Sequence, residues 1–147
     1  EIETVKCFKI ECTQAASKLR KLVVEGGDAI EGPFDGEEGI TLFADLEAGA
    51  TGNMSSAMIP DLIKPVVLDY LAGEFDKSEE KYNNILPLIN YENRQCGFRA
   101  TKVIMKEGGV INSDFCRHPI PPLEEQTKAG LIKLIKKYDP IALSWGK

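Results

Sequence analysis

A lysine within an otherwise apolar segment is the residue of this sequence best suited to covalent chemistry. Lys9 lies in the run Thr-Val-Lys-Cys-Phe-Lys-Ile-Glu at residues 4–11, which predicts a buried strand. Removing an ammonium from water costs several kcal/mol unless it is paired, so a lysine in an apolar site tends to lose its proton. The neutral amine is a nucleophile that attacks ketones, and the resulting Schiff base activates a 2-oxo acid without a cofactor.

A structural explanation for the same lysine stays open. Lys6 and Lys9 are also typical of an edge strand, with Glu11 as the ion-pair partner of either one. Lysine side chains on an edge strand oppose its pairing with other chains.

Strands and helices alternate in the first part of the sequence. Thr13 is expected to cap a helix that ends at Gly26-Gly27. Strands are predicted at residues 4–11, 28–32 and 51–56, a turn at 33–36, and a second helix at 38–48. This spacing predicts βαβ crossovers and a parallel sheet, hence an α/β fold.

The sequence from Ile59 onward is mostly helical in pattern. Helices are predicted at residues 59–73, 77–92, 98–107 and 124–138, with an extended strap at 117–122. Pro65 is expected in a first turn or at a kink, and Pro87 is expected to bend its helix. We therefore divide the chain into residues 1–57, with three parallel strands, and residues 58–147, with C-terminal helices. Three strands leave both sheet edges unpaired, so we expect the chain to belong to a longer polypeptide.

Composition excludes several classes of function. The net charge of -5 provides no basic surface for nucleic acid. No apolar stretch approaches the roughly 20 residues of a membrane span. The four cysteines form no CxxC pair and there is one histidine, so we expect no metal site and reduced thiols in a cytoplasmic protein. The glycine-rich segment 32–39 lacks the Lys-Ser or Lys-Thr of a phosphate loop, and His118 is expected to be structural.

Three motifs carry a family resemblance. They are the strand-terminal Lys9, the Ile-Glu-Gly at residues 30–32, and the Ala-Gly-Ala-Thr-Gly-Asn-Met-Ser-Ser at residues 48–56. Over essentially the whole chain, the sequence resembles the C-terminal half of the dihydrodipicolinate synthase and N-acetylneuraminate lyase superfamily. The segments at residues 8–11, 32–38, 92–95 and 99–102 are most similar to the L-2-keto-3-deoxyarabonate dehydratase subfamily.

The resemblance implies a (β/α)8 TIM barrel, of which this chain holds strands six to eight within residues 1–57. The helices of residues 58–147 would form a C-terminal appendage that packs on the barrel. Such a barrel needs about 250 residues, which accounts for the unpaired edges. Lys9 falls on the family's Schiff-base lysine at the C-terminal end of strand six, the face where barrel active sites lie.

The resemblance also implies a reaction. Lys9 attacks the C2 ketone of a 2-keto-3-deoxy sugar acid, the imine acidifies C3, and the C4 hydroxyl leaves as water. L-2-keto-3-deoxyarabonate would give 2-oxoglutarate semialdehyde, a step of pentose metabolism that needs no cofactor. Family members assemble as dimers or tetramers, which implies a homo-oligomer.

Other residues receive roles by the same resemblance. Met54 lines the pyruvyl end of the pocket through its backbone, and Ser56 contacts the rest of the substrate. Gly32, Asp35, Glu37 and Glu38 are candidates for contacts with the sugar hydroxyls. The three acids are equally typical of a solvated loop that caps the helix starting near Glu38.

Alternatives remain within and outside enzyme chemistry. After imine formation, retro-aldol cleavage or a dihydrodipicolinate synthase-like reaction would use the same lysine. A non-catalytic half-barrel that serves assembly is the alternative of another class. The superfamily takes its relay tyrosine from strand five and its carboxylate-binding Gly-Thr turn from strand two. Neither is present in this sequence, so we expect the chain alone to be inactive.

Overall fold

Three short parallel strands lie side by side in the first part of the chain. A computed structural model describes residues 4–147, so residues 1–3 of the predicted barrel segment lie outside the described residues. Within the described residues, the strands are β1 (Cys7–Ile10), β2 (Glu31–Asp35) and β3 (Gly52–Asn53). The helices are α1 (Ala15–Gly26), α2 (Leu42–Glu47), α3 (Pro60–Leu71), α4 (Phe75–Tyr91), α5 (Arg99–Glu107) and α6 (Glu125–Ile135).

The sheet has the order β1-β2-β3, and both pairings are parallel. Lys9 is the register partner of Phe34, while Asp35 is the partner of Ile10 on one side and of Asn53 on the other. The predicted parallel sheet with intervening helices is therefore confirmed.

The predicted strand boundaries need correction. The first strand is four residues long, and only Ile10 is buried in it, because β1 has a strand partner on one side alone in the described sheet. The second strand begins three residues later than predicted and includes Pro33 to Asp35, for which the sequence predicts a turn. The third strand is reduced to two residues.

The helices that follow β1 and β2 also begin later than predicted. Thr13 is not the cap of α1, because the residue before the helix is Gln14, which has left-handed backbone (φ 59°) and no capping side-chain bond. The helix predicted from residue 38 begins at Leu42. Glu37, Glu38 and Gly39 all have positive φ, a conformation that excludes them from a right-handed helix.

Two compact units divide the described chain. The first consists of residues 4–55 and 63–82, and it buries Leu19, Leu42, Leu46, Ile63 and Val66 around the sheet. The second consists of residues 56–62 and 83–147, and it buries Met58, Ile59, Leu88, Ile89, Ile104, Leu131 and Ile135. These two units do not coincide with the predicted division after residue 57. That division separates the barrel strands from a C-terminal appendage, and it stays a prediction.

The C-terminal helices agree with the sequence pattern. The helices α3 to α6 lie within three residues of their predicted bounds, and residues 117–122 are not helical. Pro65 and Pro87 lie inside α3 and α4 rather than at their ends. None of the helices in residues 4–147 combines the length and apolar character that a membrane crossing requires.

Candidate active site

Lys9 lies one residue before the end of β1, and its side chain is in contact with a carboxylate. The Lys9 Nζ lies 2.6 Å from Glu11 Oε2, and about one third of the lysine side chain is exposed. Lys6 forms a separate ion pair with Glu31 at 3.5 Å. Both lysines are thus paired, as the edge-strand explanation expects, but Lys9 alone lies at the carboxyl end of the sheet.

The absence of a side chain at Gly36 leaves space for the side chain of Lys9. A Cβ atom at Gly36 would lie 2.9 Å from Lys9 Cε, 2.9 Å from the Ile10 carbonyl oxygen and 2.8 Å from Glu11 Cβ. Real Cβ atoms do not approach other atoms so closely. The chain following β2 therefore packs directly against the Lys9 side chain only because residue 36 has no side chain.

The turn after Gly36 brings two further acids to this end of the sheet. Glu37 (φ 51°) and Glu38 (φ 55°) are left-handed, which is costly for residues other than glycine and is often found at functional sites. Partial burial raises the pKa of Glu38, and the negative charges of Glu11 and Glu37 raise it further, while Lys9 lowers it. Lys9, Glu11, Glu37 and Glu38 thus form one electrostatic cluster.

Asp35 points away from that cluster. Side chains alternate along a strand, and Phe34 shares the face of its register partner Lys9, so Asp35 lies on the opposite face. Its side chain is 1% exposed and accepts a hydrogen bond from Asn53 Nδ2. The substrate contact expected of Asp35 stays a prediction, and the structure gives its carboxyl other neighbours.

Gly32 does not lie in a turn at the strand end. It lies near the start of β2, where a Cβ atom would come within 3.0 Å of the Phe34 ring. The expectation that Gly32 marks the strand-seven turn is wrong in position, because the strand extends three residues further, to Asp35. A Cβ atom at Gly52 would meet the same ring at 2.9 Å, so Phe34 covers glycines on both sides of it.

The two remaining candidates follow β3. The Met54 amide donates a hydrogen bond to the Asp35 carbonyl at 2.9 Å, which fixes its backbone beside the end of β2, and its side chain is half-exposed. Ser56 belongs to the second unit, where its hydroxyl oxygen accepts a hydrogen bond from the Met58 amide at 3.4 Å. The structure thus brings Lys9, Glu37 and Glu38 together and fixes the Met54 backbone beside the end of β2.

Sequence reasoning missed Gly36 and Phe34 as site residues. The signal for Gly36 was an Asp-Gly pair followed by two acids, which is typical of a turn that needs close backbone approach. Phe34 gave no comparable signal, because its face depends on where the strand begins.

Comparison with known proteins places the chain in a family. The sequence profile of the dihydrodipicolinate synthetase family matches residues 2–138. The chain belongs to the dihydrodipicolinate synthetase family. It is 52% identical over 145 residues to an L-2-keto-3-deoxyarabonate dehydratase of Azospirillum brasilense. The predicted family and subfamily resemblance is therefore confirmed.

Solved structures of the dihydrodipicolinate synthetase family match the fold as well. A dihydrodipicolinate synthase from Rhodopseudomonas palustris superposes with a TM-score of 0.77 at 26% identity, covering 89% of this chain and 45% of its own. A dihydrodipicolinate synthase from Aquifex aeolicus superposes with a TM-score of 0.81 at 21% identity. The match covers 95% of this chain and 47% of the Aquifex chain, and at this identity it supports the fold alone. The Azospirillum brasilense enzyme is covered over 47% of its length, against 99% of this chain. The chain thus spans about half the length of these relatives.

Proposed function

We propose that this chain supplies strands six to eight and the C-terminal helices of a (β/α)8 barrel in a longer Schiff-base-forming lyase. Two facts support the proposal: the parallel sheet β1-β2-β3 and the coverage of about half of each relative. A closed barrel would pair the outer edges of β1 and β3 with strands from the rest of that protein.

The proposed reaction is the dehydration of a 2-keto-3-deoxy sugar acid. The Lys9 amine adds to the C2 ketone and water leaves as the imine forms. Loss of a C3 proton then gives an enamine, which expels the C4 hydroxyl as water. Hydrolysis of the imine consumes one water and frees Lys9, so the net change is the loss of one water. With L-2-keto-3-deoxyarabonate this gives a C3=C4 alkene with a C5 alcohol, and its tautomerisation, in which a C5 proton moves to C3 and the C5 hydroxyl proton to C4, would give 2-oxoglutarate semialdehyde.

One observation carries the proposal above the others. Lys9 stands at the carboxyl end of a parallel sheet, against the Gly36 backbone, in a chain 52% identical to a dehydratase. Ends of parallel strands are where α/β enzymes place reacting groups. Attack requires the neutral amine, so the ion pair between Lys9 Nζ and the Glu11 carboxylate, at 2.6 Å, must separate before the reaction.

Substrate contacts are proposed for the residues that the family resemblance singles out. Glu37 and Glu38 would accept hydrogen bonds from sugar hydroxyls, and the Met54 backbone would line the pyruvyl end. Gly32 would act indirectly, because its missing side chain leaves space for the Phe34 ring. Ser56 would contact the distal part of the substrate. Asp35 would act indirectly, by fixing the position of the carboxyl end of β2.

Retro-aldol cleavage is the neighbouring chemistry and a non-catalytic assembly half-barrel is the alternative outside enzymology. Cleavage and elimination diverge at the imine: retro-aldol cleavage breaks the C3–C4 bond, whereas elimination first breaks a C3–H bond and then the C4–O bond. The exposed lysine-bearing edge of β1 is the observation that favours the assembly alternative.

Product analysis on the longer protein tests the proposal. With L-2-keto-3-deoxyarabonate we expect 2-oxoglutarate semialdehyde as the sole product. Pyruvate with glycolaldehyde would assign retro-aldol cleavage instead. Turnover of neither kind by an intact, folded longer protein would favour the assembly role.

A further inference from the structure

Two carboxyl groups are buried against each other beneath the turn that contacts Lys9. Asp35 at the end of β2 is 1% exposed and Asp45 in α2 is fully buried. Each has one conventional donor, since Asn53 Nδ2 donates to Asp35 Oδ2 and Thr41 Oγ1 donates to Asp45 Oδ2 at 2.7 Å.

The other oxygen of each carboxyl lacks such a donor. Asp35 Oδ1 and Asp45 Oδ1 are buried and accept no hydrogen bond from any ordinary donor group in the described residues. The Asp45 carboxyl is a hydrogen-bonding neighbour of Asp35 and helps to raise its pKa. Two ionised carboxylates have no donor to offer one another, and burying both together is strongly unfavourable. A single proton shared by the two carboxyls provides the missing donor.

We propose that Asp35 and Asp45 share one proton, and that this acid pair positions the turn at residues 36–41 beside Lys9. The pair connects three elements, because Asp35 lies in β2, Asp45 in α2, and Asn53, which donates to Asp35, in β3. Neither aspartate touches the reacting atoms, so both are positioning residues.

The contacts of the turn explain how it is held. Thr41 is bound to Asp45 at one end, and the Tyr82 hydroxyl donates to the carbonyls of Gly39 (3.1 Å) and Ile40 (2.8 Å). A Cβ atom at Gly39 would lie 3.3 Å from Asn53 Nδ2, so the turn rests on the residue that binds Asp35. The Gly36 end of the same turn lies against Lys9.

The charges around the pair support the shared proton. Burial raises the pKa of Asp35 to about 9, helped by the hydrogen bond and charge of Asp45 and by the charge of Glu37, whereas Asn53 lowers it. Burial and the charges of both aspartates raise the pKa of Tyr82 to about 12, so its hydroxyl stays a donor. The titratable groups that act on the pKa of Asp35 are therefore Asp45 and Glu37. The charge of Asp35 in turn acts on the pKa of Tyr82.

Carbon-detected NMR of the chain labelled at its aspartate carboxyls tests the proposal. We expect one aspartate carboxyl to titrate near pH 9, with the amide signals of Gly36 and Gly39 shifting at the same midpoint. Asp35→Asn and Asp45→Asn should each remove that titration and make both glycine signals insensitive to pH. In either variant the new amide group donates a hydrogen bond to the remaining carboxylate, so no shared proton is needed. The matched control Asp28→Asn, at an exposed position, should retain it.

The unfolding equilibrium provides a second readout. A proton bound by the folded but not the unfolded state makes the unfolding constant rise up to tenfold per pH unit between about pH 4 and pH 9. Asp35→Asn should flatten this dependence.

The proposal is overturned if every aspartate of the unaltered chain titrates below about pH 5, if the glycine amides ignore the high-pH titration, or if metal analysis finds a stoichiometric cation that both variants lose. The unaltered chain decides the question even if a variant fails to fold. Imine formation at Lys9 is not involved, so this test and that of the proposed function fail separately.

Discussion

Gly36 is the residue on which the geometry around Lys9 depends most directly. Its missing side chain lets the backbone approach the Lys9 Cε and the Ile10 carbonyl, and a Cβ atom there would meet both at 2.9 Å. A carbonyl of the sheet cannot move aside as a flexible side chain can.

Gly36→Ala is therefore expected to lower the free energy of unfolding by about 1–3 kcal/mol through overpacking. Urea unfolding measures the change. The control is Gly26→Ala, where the new Cβ would meet only atoms of the partly exposed Ile30 side chain, the nearest being Cγ2 at 2.7 Å. A smaller loss for Gly36→Ala than for Gly26→Ala would show that the approach to Lys9 is not tight.

Individual residues were predictable from sequence to different degrees. Lys9 was recognisable because a charge in an apolar run is unusual, and Glu11 was recognisable as its partner. The burial of Asp35 was not, because the face of a strand residue depends on the strand's register. The left-handed backbone of Glu37 and Glu38 had no signal in the sequence, and the carbonyls of the next two residues, Gly39 and Ile40, are bound by Tyr82, which is distant in sequence.

The elements of the second unit are connected by charge as well as by apolar packing. Asp114 lies between α5 and α6 and forms ion pairs with Lys106 of α5, at 2.6 Å, and with Lys128 of α6. The hydrogen bonds from these two lysines lower the pKa of Asp114 well below its ordinary value.

Asp114→Asn is expected to lower the free energy of unfolding by about 1 kcal/mol at pH 7, because both ion pairs are partly exposed and screened. A lowered pKa in the folded state stabilises it above the unfolded value of about 3.9, and that contribution is lost as pH falls further. Unfolding at pH 7 and pH 3 should thus show the difference shrinking with acid. An equal loss from the exposed control Asp139→Asn would contradict this account.

Element boundaries were harder to predict than element types. All six helices and three strands were expected, because helical periodicity and strand-helix alternation are local signals. The sequence predicts the second strand at residues 28–32, ahead of a turn at residues 33–36. The observed strand runs through Gly32, Pro33 and Phe34, where pairing with β1 and β3 overrides a weak local preference.

At the scale of the whole molecule, the sheet is open at both outer strands in the described residues. Val5 and Met54 are about half exposed, and β1 and β3 each pair on one side only. Unpaired strand edges with nearby apolar side chains favour association. The chain spans about half of its relatives, and we propose that the rest of a longer protein covers these edges.

The 147-residue chain alone is accordingly expected to self-associate and to form no 2-oxoglutarate semialdehyde. Sedimentation velocity and a product assay measure the two properties. The longer protein is the control, and it should sediment as one defined homo-oligomer. A stable monomer of the 147-residue chain, or measurable dehydration by it, would contradict this expectation.

The central claim is that Lys9 is the nucleophile, and borohydride trapping tests it most directly. The longer protein is incubated with pyruvate and borohydride, digested and examined by mass spectrometry. We predict one adduct, on the peptide that contains Lys9. Lys9→Arg should abolish the adduct and reduce dehydration on the order of 10³-fold or more, whereas the same-strand control Lys6→Arg should keep both. An unaltered protein without the adduct, or an adduct that persists in Lys9→Arg, would contradict the claim.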